Sequence, residues 1–263
     1  MPKREQNSNK GTFGKVLNVA GSDNFIGAAY LSSLSVLRTG AGYVALASCE
    51  KVINSVSQML PEAVYITRED GLKNIDGYTV VLMGCGLGQS EQAKKDVISF
   101  LNKRKNIPTV IDADGLNIIS KIPEIILDNN VVLTPHPAEA ARLLGVNISE
   151  ILDDIENAAK KISEKFNAVA VLKTHRTVVC DTDGKIYINN HGNSALAKAG
   201  TGDVLAGIIA GLLAQKLTAF EAAKLGVYLH SRAGEIASEE LSEYSVLASD
   251  LCKYLPRAIK ELI

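Results

Sequence analysis

The sequence predicts an α/β fold: a mostly parallel central sheet covered by helices on both faces, with an antiparallel hairpin toward one edge. Three observations carry this expectation. Runs such as TVVLMG and AVAVLKT are apolar at successive positions, so both faces of those strands are buried, as in parallel sheets. These runs alternate with stretches of helical periodicity, the pattern of strand–helix–strand units. Near residue 180, a TDG turn separates two short apolar runs, 177–181 and 185–190, and reads as a hairpin bending at Asp183-Gly184.

Taken in order, residues 1–14 form a polar, basic lead-in to one domain over 1–263. KVLNVAGS (15–22) is a buried strand ending in a turn. A helix over 26–40 places Leu31, Leu34 and Leu37 on one face and stops at Gly40. Strands follow at 43–48, 63–67 and 79–84. The amphipathic stretch 90–101 is a helix with Ser90 as its N-cap. Strands at 108–114 and 131–135 precede a helix with a solvated face over 149–166, and a strand over 168–174 leads into the hairpin. Helices of roughly 202–214, 218–240 and 248–262 close the chain. There is no internal repeat, low-complexity tract or sign of a second domain.

Composition narrows the function. The 263 residues are 46% hydrophobic and 22% charged, which supports a sizeable core and argues against disorder. Net charge is −1 with no long basic run, which argues against a nucleic-acid or anionic-membrane partner. The longest apolar run, 204–214, is shorter than the ~20 residues that cross a bilayer. The N-terminus lacks the apolar core of a secretory signal. Cysteines 49, 85, 180 and 252 form no closely spaced pair for zinc or redox chemistry. Three of them lie in apolar surroundings and read as small hydrophobes. A reducing cytosol fits this usage.

In such a sheet, ligands bind beyond the carboxyl ends of the strands, so each strand end is a candidate. Gly21, Ser22, Gly27 and Ala28 bracket a strand-to-helix turn. Small residues suit a tight turn there, and they also suit amides that hold an anion. No Gly-Lys-Ser/Thr follows, so this is not a Walker A loop. Gly84, Gly86 and Gly88 bring backbone close to either a ligand or a neighbouring loop. Asp112 and Asp114, two apart, would share a strand face as a magnesium site or as a cap with a salt bridge. His136 is pinned between Pro135 and Pro137, with Glu139 in the first turn of the next helix, and this points to ligand contact. Lys173, Thr174 and Thr177 offer a cation and hydroxyls at the sheet edge, as a phosphate contact or an ordinary turn. His230 reads as a satisfied core residue, and His175 and His191 lie in or near loops.

The most informative stretch is AKAGTGDVLAGIIAGLL (197–213). Gly200 and Gly202 crowd backbone N–H groups at a helix start, where the dipole completes an anion hole. Asp203 is the one carboxylate in that turn. Beside an anion hole it is costly unless it works, for instance by taking a proton from a hydroxyl as that oxygen attacks phosphorus. The apolar helix behind it is a dry support, and Gly207 and Gly211 allow close packing on one side.

In this order, GSDNFIGAAYLSSLSVLRTGAGYV, VIDADGLN, LTPHPAE, AGTGDVLAGIIAGLLAQ and LGVYLHSRAGEIA resemble the ADP/ATP-dependent NAD(P)H-hydrate dehydratases, over nearly all of 2–256. GTGD alone would indicate only the wider ribokinase-like superfamily. The resemblance implies a ribokinase-like fold and a metabolite-repair lyase. The S epimer of NADH or NADPH hydrated at C6 would lose water while ADP (typical of bacterial members) or ATP is consumed and phosphate released. It implies Asp203 as the base, and Gly200, Thr201 and Gly202 at the transferred phosphate. Ala28, Gly88, His136 and Asp203 would contact the hydrate. Lys173, Thr174, His175, Arg176 and Thr177, with Gly202, would hold the nucleotide. Glu139 would organise magnesium (Mg2+) through water. A cytoplasmic homotetramer is also implied, with an NAD(P)H-hydrate epimerase as partner or fused domain.

Two positions depart from the family pattern. Cys85 replaces the proline of Gly-Pro-Gly-Leu-Gly, and Thr174 replaces the glycine of a Lys-Gly turn, where a positive φ would strain it. A vitamin-precursor kinase of the same superfamily, or a non-catalytic nucleotide sensor or assembly subunit, would use the same pocket.

Overall fold

In the computed structural model, which describes residues 1–263, the apolar runs pair as one nine-stranded sheet. The strands are β1 (Lys15–Val19), β2 (Tyr43–Ser48), β3 (Val64–Thr67), β4 (Val80–Met83), β5 (Thr109–Ile111), β6 (Val131–Leu133), β7 (Val169–Leu172), β8 (Val178–Cys180) and β9 (Ile186–Ile188). Their spatial order is β3-β2-β1-β4-β5-β6-β7-β8-β9. The first seven run parallel. β8 and β9 reverse in turn, so the antiparallel strands lie at one edge, as expected.

Both faces of the sheet are dry, because alternate side chains of apolar strands go to opposite sides. Val16, Val44 and Leu82 enter one core, which α1 (Ile26–Thr39), α2 (Glu50–Val56), α9 (Thr201–Ala214), α10 (Ala219–Leu241) and α11 (Ala248–Lys260) cover. Leu17, Met83 and Leu133 enter the other, under α3 (Arg68–Lys73), α4 (Glu91–Lys103), α5 (Asp114–Ile119), α6 (Pro137–Leu144), α7 (Ile148–Asp153) and α8 (Ile155–Phe166). No helix is long and apolar enough to cross a membrane.

The strand order reverses between β1 and β4, so the loops after these two strands leave in opposite directions and open a crevice. Backbone bonds staple the crevice floor. Gly21 N–H donates to the Cys85 carbonyl at 2.8 Å, and Gly84 N–H to the Val19 carbonyl at 3.1 Å. The Ser22 hydroxyl adds a bond to the Gly86 carbonyl at 2.8 Å.

Several elements differ from the sequence expectation. The helices α2, α3 and α5 have two turns or fewer, too short to show a period. The helix expected over 149–166 is two, because Asp154 leaves helical geometry (φ −148°) and caps α8 by accepting from Asn157 N–H at 3.0 Å. The strand expected over 108–114 ends at Ile111, because Ala113 takes a positive φ of 49°.

Helix α9 lies against α1 more closely than larger side chains would allow. A methyl built on Gly207 would overlap the Ser35 hydroxyl and the Ser32 carbonyl, and one on Gly211 would come within 2.8 Å of Thr39 Cβ. The α1 side of this contact is hydroxylic. Ser32, Ser35 and Thr39 each donate to the carbonyl four residues back, at 2.7, 2.8 and 2.7 Å, so their polar atoms stay satisfied in the dry interface. Gly207→Ala gains helix propensity but overpacks this contact. Chemical denaturation should show a loss of about 1–3 kcal/mol. Equal or higher stability would mean that α1 yields without cost.

Candidate active site

A cluster of charged groups closes the carboxyl ends of β4 to β7. Asp112, just after β5, is 3% exposed. Its Oδ1 accepts from Lys173 Nζ at 2.7 Å and from the Thr134 hydroxyl at 2.7 Å. Lys173 follows β7, and its backbone N–H is held by the Pro135 carbonyl at 2.8 Å. Burial works against the Lys173 ammonium, but Asp112 and Glu139 outweigh it and hold its pKa above the usual lysine value. Asp114 points elsewhere. It opens α5 and accepts from the Gly88 N–H at 2.8 Å. The expectation that Asp112 and Asp114 share a strand face is therefore incorrect; the left-handed Ala113 between them turns the chain.

The N-terminus of α9 faces this cluster. Gly200 is its N-cap at φ 91°, a conformation that favours glycine. A methyl there would meet Leu31 and Ala248, so Gly200 shapes the turn without lining a cavity. The Thr201 hydroxyl is committed to the Leu196 and Lys198 carbonyls at 2.8 and 2.9 Å. The amides of Gly202 and Asp203 remain at the open helix end. The position of a Gly202 methyl would be 3.4 Å from Lys173 Nζ and 3.9 Å from Asp112 Oδ2. Asp203 itself is largely buried. Burial first, and the negative Asp112 second, push its carboxyl up to about 7. Cys85 Sγ and one carboxylate oxygen each of Asp112 and Asp203 lie within 4.8 Å of one another.

His136 and Glu139 form a capping box at the start of α6. His136 Nδ1 accepts from the Ala138 and Glu139 amides at 3.1 and 3.4 Å, and Glu139 Oε2 accepts from the His136 N–H at 2.8 Å. Nδ1 is thus an acceptor, which leaves the ring proton on Nε2. Burial, then Lys173 and Arg142, lower the His136 pKa, so the ring is neutral at physiological pH. Burial raises the Glu139 pKa against the pull of Lys173.

On one side of Lys173 and Gly202 lies a cavity of about 830 Å³. His136, Lys173, Thr174, His175, Arg176, Thr177, Thr201 and Gly202 all line it. Thr174 has no positive φ. Its hydroxyl donates to the Arg176 carbonyl at 2.9 Å and accepts from the Arg176 N–H, so threonine builds this turn without strain. The far wall, with Asn190, Asn193, Leu205 and Val227, was not legible in the sequence. Nor was the role of His230. It is buried, as expected, but burial lowers its pKa to about 4, and its neutral Nε2–H donates to the Thr201 carbonyl at 2.9 Å. It ties α10 to the start of α9.

Ala28 and Gly88 are outside that lining, beside the turns that follow β1 and β4. The three glycines after β4 now separate by role. A methyl on Gly84 would strike the Asp112 carbonyl, and one on Gly86 would strike Phe25 and Ala28. One on Gly88 would meet nothing closer than the Ser22 hydroxyl at 3.5 Å. Gly84 and Gly86 serve neighbouring loops, and Gly88 faces open room. Asp203 lies beside Cys85 of the β4 turn and directly follows Gly202, which lines the cavity.

The chain resembles known proteins along most of its length. A family model described as NAD(P)H-hydrate dehydratase matches residues 16–257. The bifunctional NAD(P)H-hydrate repair enzyme Nnr of Moorella thermoacetica is 37% identical over 100% of this chain but 52% of its own length. Two further relatives of that name are covered to 52% and 53%, so the chain spans about half the length of these curated relatives. The ADP-dependent (S)-NAD(P)H-hydrate dehydratase of Bacillus subtilis is 36% identical, with 99% and 94% of the two chains covered. A crystal structure of the Bacillus subtilis ADP/ATP-dependent NAD(P)H-hydrate dehydratase, co-crystallized with ATP/Mg2+, superposes with a TM-score of 0.90 at 35% identity, covering 100% of this chain and 95% of the other. Hydroxyethylthiazole kinase of Pyrococcus horikoshii shares the fold at 16% identity and a TM-score of 0.67.

The raised Asp203 pKa has a consequence for stability. Its folded value, about 7, lies above the ordinary 3.8, so between these pH values the folded state binds the extra proton. Stability contributed by this group therefore falls as pH rises through that window. Asp203→Asn should match the wild type near pH 4 and exceed it by roughly 1–3 kcal/mol at about pH 8. Denaturation at the two pH values measures this; equal stability at both would show that the carboxylate is not penalised by burial.

Proposed function

The chain belongs to the NAD(P)H-hydrate dehydratase family, and from that premise we propose that it repairs hydrated NADH and NADPH, removing water from the S epimer at the expense of ADP or ATP. The observation that carries the reading is the place of Asp203. It sits at an open helix N-terminus, beside Cys85 of the β4 turn and next to Gly202, which lines the large cavity.

The chemistry follows from leaving-group ability. Hydroxide leaves C6 of the reduced ring poorly, and phosphate leaves well. Asp203, ionised, takes the proton of the C6 hydroxyl, and the oxygen attacks the terminal phosphorus of the nucleotide, whose bond to the departing AMP (from ADP) or ADP (from ATP) breaks. The Gly202 and Asp203 amides, with Lys173, receive the charge that builds on the transferred phosphoryl group. The ring nitrogen's lone pair then expels phosphate, a proton leaves C5, and the reduced nicotinamide is restored. Residues 173–177 hold the nucleotide, with Gly200 shaping the phosphate turn. Ala28, Gly88 and the Nε2–H of His136 orient the hydrate.

A hard, hydrated cation fits the same pocket. Three carboxylates, Asp112, Glu139 and Asp203, lie near a single partnered lysine, so negative charge is in excess. Glu139 would organise Mg2+ through water, and the ion would neutralise phosphate charge. ADP as donor, a cytoplasmic homotetramer, an epimerase partner or fused domain, and one catalytic domain over 1–263 complete the proposal. A superfamily kinase acting on a vitamin-precursor alcohol would share Asp203 but would release a stable phosphoester.

Mixing the protein with hydrated NADH, magnesium and either nucleotide should restore the absorbance of reduced nicotinamide only when nucleotide is present. No recovery, with a phosphoester formed from an alcohol, would move the function to a kinase. Asp203→Asn should still bind nucleotide yet lose at least about a hundredfold in turnover. Near-normal turnover in that variant would sink the assignment. Because the base must be ionised, kcat/KM should fall as pH drops through about 7. A rate flat from well above to well below that pH would assign the proton transfer to another group.

A further inference from the structure

The mechanism above gives no part to Asn189, which directly follows β9 and is 1% exposed. It does not line the large cavity, yet it is bonded to two stretches of the lining. Its backbone N–H donates to the carbonyl of Thr177, in the 173–177 turn, at 2.9 Å. Its Nδ2 donates to the His191 carbonyl, in the 190–194 stretch, and to the Ser231 hydroxyl on α10, both at 2.9 Å. Its Oδ1 accepts from the Tyr187 hydroxyl at 3.3 Å. We propose that Asn189 is a positioning residue for the nucleotide: without touching the ligand, it fixes the 190–194 stretch relative to the 173–177 turn and so sets the shape of the cavity that the nucleotide enters. This rests on the reading of the cavity as the nucleotide site.

The 190–194 stretch needs such a hold. No strand or helix covers 190–193, and Asn190, His191 and Gly192 are exposed. Backbone of this kind opens easily, and a ligand that must order it loses affinity to that cost. The other bonds to the stretch lie at the solvent. Glu235 accepts from the Gly192 N–H at 2.7 Å, and Glu243 from the Ser194 N–H at 3.2 Å. Arg176 Nε donates to Asn190 Oδ1 at 3.2 Å. Water competes for these groups as soon as they part. It does not reach the Asn189 side chain, where both amide protons and the carbonyl oxygen are already paired within the protein. Losing that amide leaves its buried partners short of a bond, so the geometry it imposes is costly to abandon.

The test measures binding of ADP with magnesium by calorimetry, and amide hydrogen exchange over 190–194, in wild type, Asn189→Asp and Tyr187→Phe. Each is first checked for a cooperative thermal transition. Asn18→Ala is the control for lost stability alone. Asn18 is a buried asparagine of β1 that donates to the Ser32 and Ser33 hydroxyls at 2.8 and 2.9 Å and does not line the cavity. Asn189→Asp keeps the size and loses the donor, and should raise the Kd of ADP by about five- to tenfold. Exchange over 190–194 should quicken, and saturating ADP should slow it again. The KM of the hydrate at saturating ADP should stay as in wild type. Tyr187→Phe, which removes one bond to Asn189, should raise the Kd about two- to threefold and decides the matter if Asn189→Asp does not fold. Asn18→Ala should melt earlier with its Kd unchanged. An unchanged Kd in folded Asn189→Asp would overturn the inference, as would an equal rise in Asn18→Ala, since that is general loosening. A wild type that binds ADP without restoring reduced nicotinamide would defeat the dehydratase reading, and the Kd values would still decide the role of Asn189. One that binds no ADP would overturn both the nucleotide site and the inference.

Discussion

One lysine serves three carboxylates, and much of the site follows from that shortage. Lys173 is committed to Asp112 at 2.7 Å, and Thr134 completes the arrangement. The bond joins the ends of β5 and β7 and sets the ammonium beside Gly202. It also leaves Asp203 without a full counter-charge, so burial and the negative Asp112 push its carboxyl up to about 7. The same deficit that weakens the folded state would suit Asp203 to the proposed role of a base at neutral pH. A second lysine would stabilise the pocket and blunt that role.

Such a cluster needs a stiff frame. Asp203 stands on α9, whose glycines lie against the back-bonded hydroxyls of α1, while His230 fixes the first turn from α10. The opposite rim is stapled across β1 and β4 at the point where the strand order reverses. The start of α9 is thus set by packing rather than by a loop, so its geometry is largely fixed before a ligand arrives.

How much of this the sequence disclosed depended on range. The fold was legible because strands buried on both faces and the Asp183-Gly184 turn are local patterns. Asp203 and His136 stood out as candidates because their signals are also local: glycines before an acid, a histidine between prolines. The 173–177 turn read equally as an ordinary turn and was singled out only by the family resemblance. The shared face of Asp112 and Asp114 was misread because one left-handed alanine, Ala113, breaks the alternation without any sequence signal. The glycines after β4 stayed ambiguous because only the folded chain shows which one faces space. The far cavity wall, from 190–197 to Val227 and His230, comes from separate elements, and no single stretch displays it.

The two rims are carried by different halves of one sheet. Ala28 and Gly88 hang from the β1 and β4 turns, and the large cavity is built around β7, β8 and β9 with the segment that follows. Asp203, on a helix behind both, belongs to neither. Such a layout is modular in descent. Under the proposed function, substitutions in the β7–β9 corner would retune which phosphoryl donor is accepted, with the opposite rim and Asp203 left as they are. A lineage moving between donors would thus pass through working intermediates, each a small edit at the sheet's edge.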